Sequence, residues 1–218
     1  MVRKSKSTKP LIYVFYEGES ERAYSEYLKK VFSDVAVLKF PSKAGLFDEA
    51  YNKFKKEPKY ADYIEQTDEI WFFFDVERND LEKWDSRLNT INKLRKLKRK
   101  PGIKIRLLMT TGCIEYWLML HYQKYAPALQ TPAEKNKVFK QLKQKEPSYE
   151  KGDRYSTAKI AENYPTAVRN AKDRMEELSS EGLPGLEDSD KRNEWLYKSS
   201  KTFSTVYEAI VFLESLVK

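Results

Sequence analysis

Residues 70–74 read IWFFF, an unbroken apolar run closed by the carboxylate of Asp75. A run with no polar alternation suits a central strand covered on both faces, the arrangement of a parallel sheet between helices. Three further segments have strand character: Leu11–Tyr16, Val35–Phe40 and Lys104–Thr110, the last bounded by Pro101-Gly102 and Gly112. Helix-length stretches separate them. Ser20–Phe32 carries Ala23, Tyr24, Tyr27, Leu28 and Val31 at helical spacing, and Asp48–Lys55 and Leu81–Leu97 follow. This alternation predicts an α/β fold with a mostly parallel four-stranded sheet flanked by helices.

Beyond about Tyr122 the strand signal stops. Pro132–Gln144, Thr166–Ser179 and Thr202–Val217 read as helices, with turn signals at Glu146-Pro147, Gly152-Asp153 and LPGLEDSD, residues 183–190. The expected division is an α/β core over residues 1–124 and a helical C-terminal portion over residues 125–218 packed on it.

In an open parallel sheet, ligands bind outside the carboxyl ends of the strands. The acids of this chain gather there. Glu17, Glu19 and Glu21 follow the first strand, Asp75, Glu77 and Asp80 the third, and Glu115 comes soon after the fourth. Hard carboxylate oxygens in that number suit Mg2+ or Mn2+. One His and one Cys cannot build a usual zinc site. Glu19, Glu21 and Glu115 have a second reading, as first-turn acids favoured by a helix dipole. Glu17, between a strand and Gly18, and Asp75, behind four hydrophobic neighbours, are the acids that ask for a partner.

The charge balance is basic, 41 Lys and Arg against 33 Asp and Glu. That excess favours a polyanionic partner such as nucleic acid, and it also serves solubility. The stretch KLRKLKRKPGIKIR offers Lys93, Arg95, Lys96, Lys98, Arg99 and Lys100 as contacts for substrate phosphates, or as a solvated helix end. Cys113 is the single cysteine, so no intramolecular disulfide forms, and a reducing compartment is expected. No apolar run approaches the roughly 18 residues of a membrane span. The expectation is a soluble cytoplasmic protein with no membrane partner. The phosphate-binding pattern GxxxxGK[ST] is absent.

Three segments together resemble a known family: EGESE-x-x-Y from Glu17 to Tyr24, FFFD-x-E from Phe72 to Glu77, and TTGCIEYWLMLHY from Thr110 to Tyr122. Their order and strand placement are similar to those of the RloB-like proteins, whose catalytic module resembles a Toprim domain. The likeness continues to Thr205 and Val206. It implies a metal-dependent nuclease, cutting DNA or RNA, that acts as an effector in antiviral defence and abortive infection beside an ATPase partner of the ABC or overcoming-lysogenization type. On that likeness Glu17 is the candidate general acid/base and a metal ligand, and Asp75 and Glu77 are the paired ligands of Mg2+ or Mn2+. Glu115 belongs to the catalytic set, with Glu19, Glu21 and His121 behind it. Where the family pattern has a second aspartate this chain has Glu77. Where it has an SNP-like turn the chain has Thr110-Thr111-Gly112, and Tyr207 stands where a histidine is common.

His121, inside the apolar run WLMLHY, also reads as a packed core residue. Two other functions fit the same acids: a non-catalytic metal- and nucleic-acid-binding module that docks to an ATPase, and a small-nucleotide phosphatase or nucleotidyl transferase. A homo-oligomer is compatible with each.

Overall fold

The computed structural model describes residues 9–41, 45–98 and 101–217. Four parallel strands, β1 (Leu11–Tyr16), β2 (Val37–Lys39), β3 (Thr67–Val76) and β4 (Lys104–Thr111), form one sheet in the order β2-β1-β3-β4. The expected architecture is therefore present. β3 is central, and Ile70 to Phe74 are buried to the last few per cent because helices lie on both of its faces. Burying each of these aromatic side chains stabilises the fold by roughly 2–3 kcal/mol.

Alternation along β3 sorts the two layers. Trp71, Phe73 and Asp75 face one side. There Phe73 meets Tyr24 of α1 (Glu19–Val31), and Trp71 meets Phe212 of α10 (Tyr207–Ser215). Phe72 and Phe74 face the other side, against Phe47 of α2 (Phe47–Lys56) at centroid distances of 4.3 and 5.4 Å. The short α3 (Pro58–Ala61) adds Tyr60 against Tyr13 and Phe54, and α4 (Trp84–Arg95) closes that layer with Arg87 over the Phe74 ring.

Past β4 the chain turns into α5 (Ile114–Met119), whose residues are all buried. Then come α6 (Pro132–Lys145), α7 (Arg154–Ala161), α8 (Tyr164–Ser180) and α9 (Asp190–Lys198). The C-terminal portion is helical, as expected, but α7 and α9 begin where the signals at Gly152-Asp153 and residues 183–190 read as turns, in stretches given no helix. Both turn signals are helix entries: Asp153 caps α7 through Ser156 N, and Ser189 caps α9 through Arg192 N. Thr131 and Glu134 form a capping box at the start of α6.

Two helix boundaries also move. Arg78–Lys83 is a 3-10 turn ahead of α4, and the chain before α10 is extended. There Ser204 bridges Thr110 antiparallel, Thr111 N donates to Phe203 O, and Thr205 N donates to Met109 O. The Thr205 hydroxyl adds bonds to Met109 N and Leu107 O. Among the described residues no helix is long and apolar enough to cross a membrane.

Candidate functional site

The carboxyl edge of the sheet collects four acids from two strand ends and two helices. Glu17 leaves β1, and its backbone N–H still donates to Phe73 O, so the residue is held at the crest between β1 and β3. Its Oε2 accepts the Asp75 amide at 3.2 Å. Gly18 is the extended N-cap of α1, and no side chain caps the helix. A Cβ on Gly18 would lie 2.8 Å from Glu21 Oε2, so glycine is what lets that carboxylate fold back over the helix start. Glu21 is thereby buried and turned inward, while Glu19 faces solvent beside Arg22. Of the two first-turn acids, Glu19 keeps the dipole reading and Glu21 joins the site.

Asp75 is the last but one residue of β3. Its Oδ1 is buried with no hydrogen-bond partner among the described residues. Burial pushes its carboxyl well above the usual carboxylate range, and Glu21, Glu17 and Glu115 push it further. The same combination raises Glu21 to about 7: desolvation first, eased by the Glu21 and Gly18 amides, then aggravated by Glu17 and Glu115. Glu115 arrives through a turn. Gly112 sits at φ +75, where a Cβ would strike Leu129 O at 2.7 Å, and Cys113 is then the N-cap of α5. Glu115 is buried at 1% exposure, and its Oε1 accepts from Tyr149 Oη at 3.1 Å and faces Lys151 Nζ at 3.3 Å. A cavity of about 280 Å3 opens among Glu21, Asp75, Cys113, Glu115, Lys151 and Gly152.

Glu77 departs from its expected place. β3 ends at Val76, so Glu77 lies beyond the pleat, exposed, with its carboxylate on Lys135 of α6. The acids grouped with Asp75 are Glu17, Glu21 and Glu115 in its stead. His121 is also corrected as a supporting group, because it touches no acid. Fully buried, it meets Tyr24 Oη through Nε2 and Trp117 O through Nδ1, and desolvation holds its pKa down to about 4.

The basic stretch is corrected as well. It precedes β4 and therefore lies at the amino edge of the sheet, about 20 Å from the acids at the rise of a strand. Arg95 is committed to Asp190 through two hydrogen bonds, Lys98 reaches Thr67 O, and Lys93 lies over the Tyr51 ring. Lys96 is exposed. Arg99 and Lys100 lie outside the described residues. The cations beside the acids are instead Lys135 and Lys151. Sequence distance hid both, since Lys151 meets an acid 36 positions earlier and Lys135 one 58 positions earlier.

The donor set consists of hard oxygens, and the orphaned Oδ1 of Asp75 is the kind of atom a divalent ion satisfies. Among the described residues no three His, Cys, Asp or Glu side chains are yet spaced to hold a metal ion. The residues therefore fit the group in chemistry, while their spacing in this structure is not that of a formed metal site.

A parallel α/β sheet with its carboxylates gathered at the strand ends defines a protein that works at that edge. The chain belongs to the RloB-like protein family, whose model matches residues 12–213. No curated protein and no solved structure matches it.

Proposed function

We propose that this protein is a Mg2+- or Mn2+-dependent nuclease that hydrolyses phosphodiester bonds of DNA or RNA at the carboxyl edge of its sheet. One observation carries the reading. The buried acids elsewhere in the fold are cation-matched, Glu69 by Arg106, Glu208 by Arg192 and Glu146 by Lys159, whereas Asp75 and Glu21 have no such partner among the described residues. A fold that supplies a cation to its structural carboxylates and withholds one from Asp75 and Glu21 leaves that cation to come from outside.

Asp75, Glu17, Glu21 and Glu115 are the residues that hold the ion. When bound, such an ion activates an attacking water and stabilises the leaving oxygen. Glu17 is positioned by the Asp75 amide and is the group placed to share the ion or carry a proton. The proposal extends to a setting in antiviral defence beside an ATPase partner of the ABC or overcoming-lysogenization type, a reading that rests on the sequence resemblance described above.

The test is cleavage of plasmid DNA, single-stranded DNA, total RNA and mononucleotides, in Mg2+, Mn2+ or EDTA. Wild type is compared with Glu17→Ala and Asp75→Ala, with and without the ATPase. The expected result is metal-dependent cutting of a polymer that both substitutions lower by about 100-fold or more. Cutting that survives both, or turnover confined to mononucleotides, overturns the reading. Metal binding with no cutting, even beside the ATPase, assigns the chain as a binding module.

A further inference from the structure

The two cations nearest the acids both come from the C-terminal helical portion. Lys135 stands on the first turns of α6 and pairs with Glu77, and its charge also reaches Asp75, easing the crowding there. Lys151 stands in the loop between α6 and α7, against Glu115. That loop is pinned to the site. Gly152 N donates to Ser20 Oγ at 3.0 Å, Tyr149 Oη donates to Glu115, and Gly152, at φ +76, lies where a Cβ would meet Glu19 Cβ at 2.9 Å.

The choice of lysine is informative. Of the structural carboxylates, Glu69, Glu208 and Asp190 take arginine, whose planar fork locks a carboxylate through two bonds, and Glu146 takes Lys159. Lysine is a compact charge on a flexible stem that can leave. The Lys151 side chain is 63% exposed and can swing into solvent while its backbone stays fixed. Burial disfavours its ammonium, yet Glu115 outweighs that and raises its pKa. Lys151 therefore lines the cavity from its loop and Lys135 acts on Asp75 from α6, each holding one acid by a contact built to be exchanged.

We infer that Lys135 and Lys151 are exchangeable counter-ions of the site: Lys151 holds Glu115 and Lys135, seated on Glu77, offsets the charge at Asp75 until a divalent ion takes over both tasks, and each lysine then turns to a phosphate oxygen of the substrate. The inference rests on the metal-dependent reading above and adds the groups that grip the phosphodiester.

The experiment is a calorimetric Mn2+ titration of wild type, Lys135→Gln, Lys151→Gln and the double variant. It is paired with the salt dependence of binding of a labelled single-stranded oligonucleotide in Ca2+, and Lys96→Gln, at the far edge, serves as control. Removing an ammonium near a divalent ion is expected to tighten Mn2+ about tenfold per lysine. The double variant is expected to flatten the slope of log affinity against log salt by about 1.4, the loss of two phosphate contacts. Equal or weaker Mn2+ binding in the variants, with wild-type binding intact, overturns the counter-ion role alone. An unchanged salt slope overturns the phosphate role. Absence of Mn2+ binding from every protein, variants included, overturns the metal-dependent reading and this inference with it.

Discussion

Glu69 and Asp75 stand on the same strand and the same face, six residues apart. Each is an acid at one end of an aromatic ladder, and they are treated in opposite ways. At Glu69 the neighbouring strand supplies Arg106, whose Nε and Nη2 each lie 3.0 Å from the carboxylate, and Trp71 Nε1 donates at 2.6 Å. At Asp75 the neighbour in register is Thr110, and its hydroxyl is turned to Ser204. The lower acid is complete within the chain, whereas the upper one is surrounded by Glu17, Glu21 and Glu115. A buried carboxylate costs several kcal/mol unless it is matched, so the contrast separates carboxylates that hold the fold from carboxylates kept for a ligand.

The contrast can be broken at its lower end. Arg106→Met leaves Glu69 buried without its charge partner, and stability should fall by about 3–5 kcal/mol, read from the urea midpoint at constant slope. A change below 1 kcal/mol would mean that Glu69 protonates freely, and the distinction between the two ends would collapse.

The core beneath the acids gives a pH test. His121 is neutral in the fold with a pKa of about 4, against 6.5 when unfolded, and its Nε2 faces only the Tyr24 hydroxyl. The unfolded chain binds the proton first, so this contribution is full above pH 6.5 and is lost as pH falls towards 4. The loss amounts to about 3 kcal/mol. His121→Gln should flatten that part of the stability–pH curve, and a curve that keeps its slope would place the titration elsewhere.

A smaller effect, of opposite sign to the first, sharpens the upper end. Without divalent ions, Asp75→Asn relieves a crowded carboxyl and should stabilise the protein by about 1 kcal/mol. With Mg2+ added, wild type should gain thermal stability with metal concentration and Asp75→Asn should not. Smallest of all, Lys96→Gln should leave oligonucleotide affinity within about twofold, since Lys96 lies at the amino edge away from the acids.

The sheet was legible because hydrophobic runs on four strands and helical spacing between them are local signals. IWFFF could be placed centrally from its own composition, and Glu17 and Asp75 could be placed at the working edge from strand direction alone. Glu77 follows Asp75 in sequence as a paired ligand would, but its carboxylate is taken by Lys135, 58 positions away. Glu21 and Glu19 look alike in sequence, and only the bare Gly18 Cα, which admits one folded-back carboxylate, separates them. α7 and α9 were hidden because their N-caps, Asp153 and Ser189, are also turn formers. Lys135 and Lys151 depend on how helices dock over a sheet, which no local pattern encodes.

The bonds from Phe203 and Thr205 to Thr111 and Met109 have a consequence for the order of events during synthesis. They complete the outer rim of β4 beside Gly112, the hinge that aims Glu115. A nascent chain that has not emerged past residue 205 lacks this rim although the segments carrying Glu17, Asp75 and Glu115 are already made. The edge of the sheet is thus completed only when nearly all of the described chain has been translated.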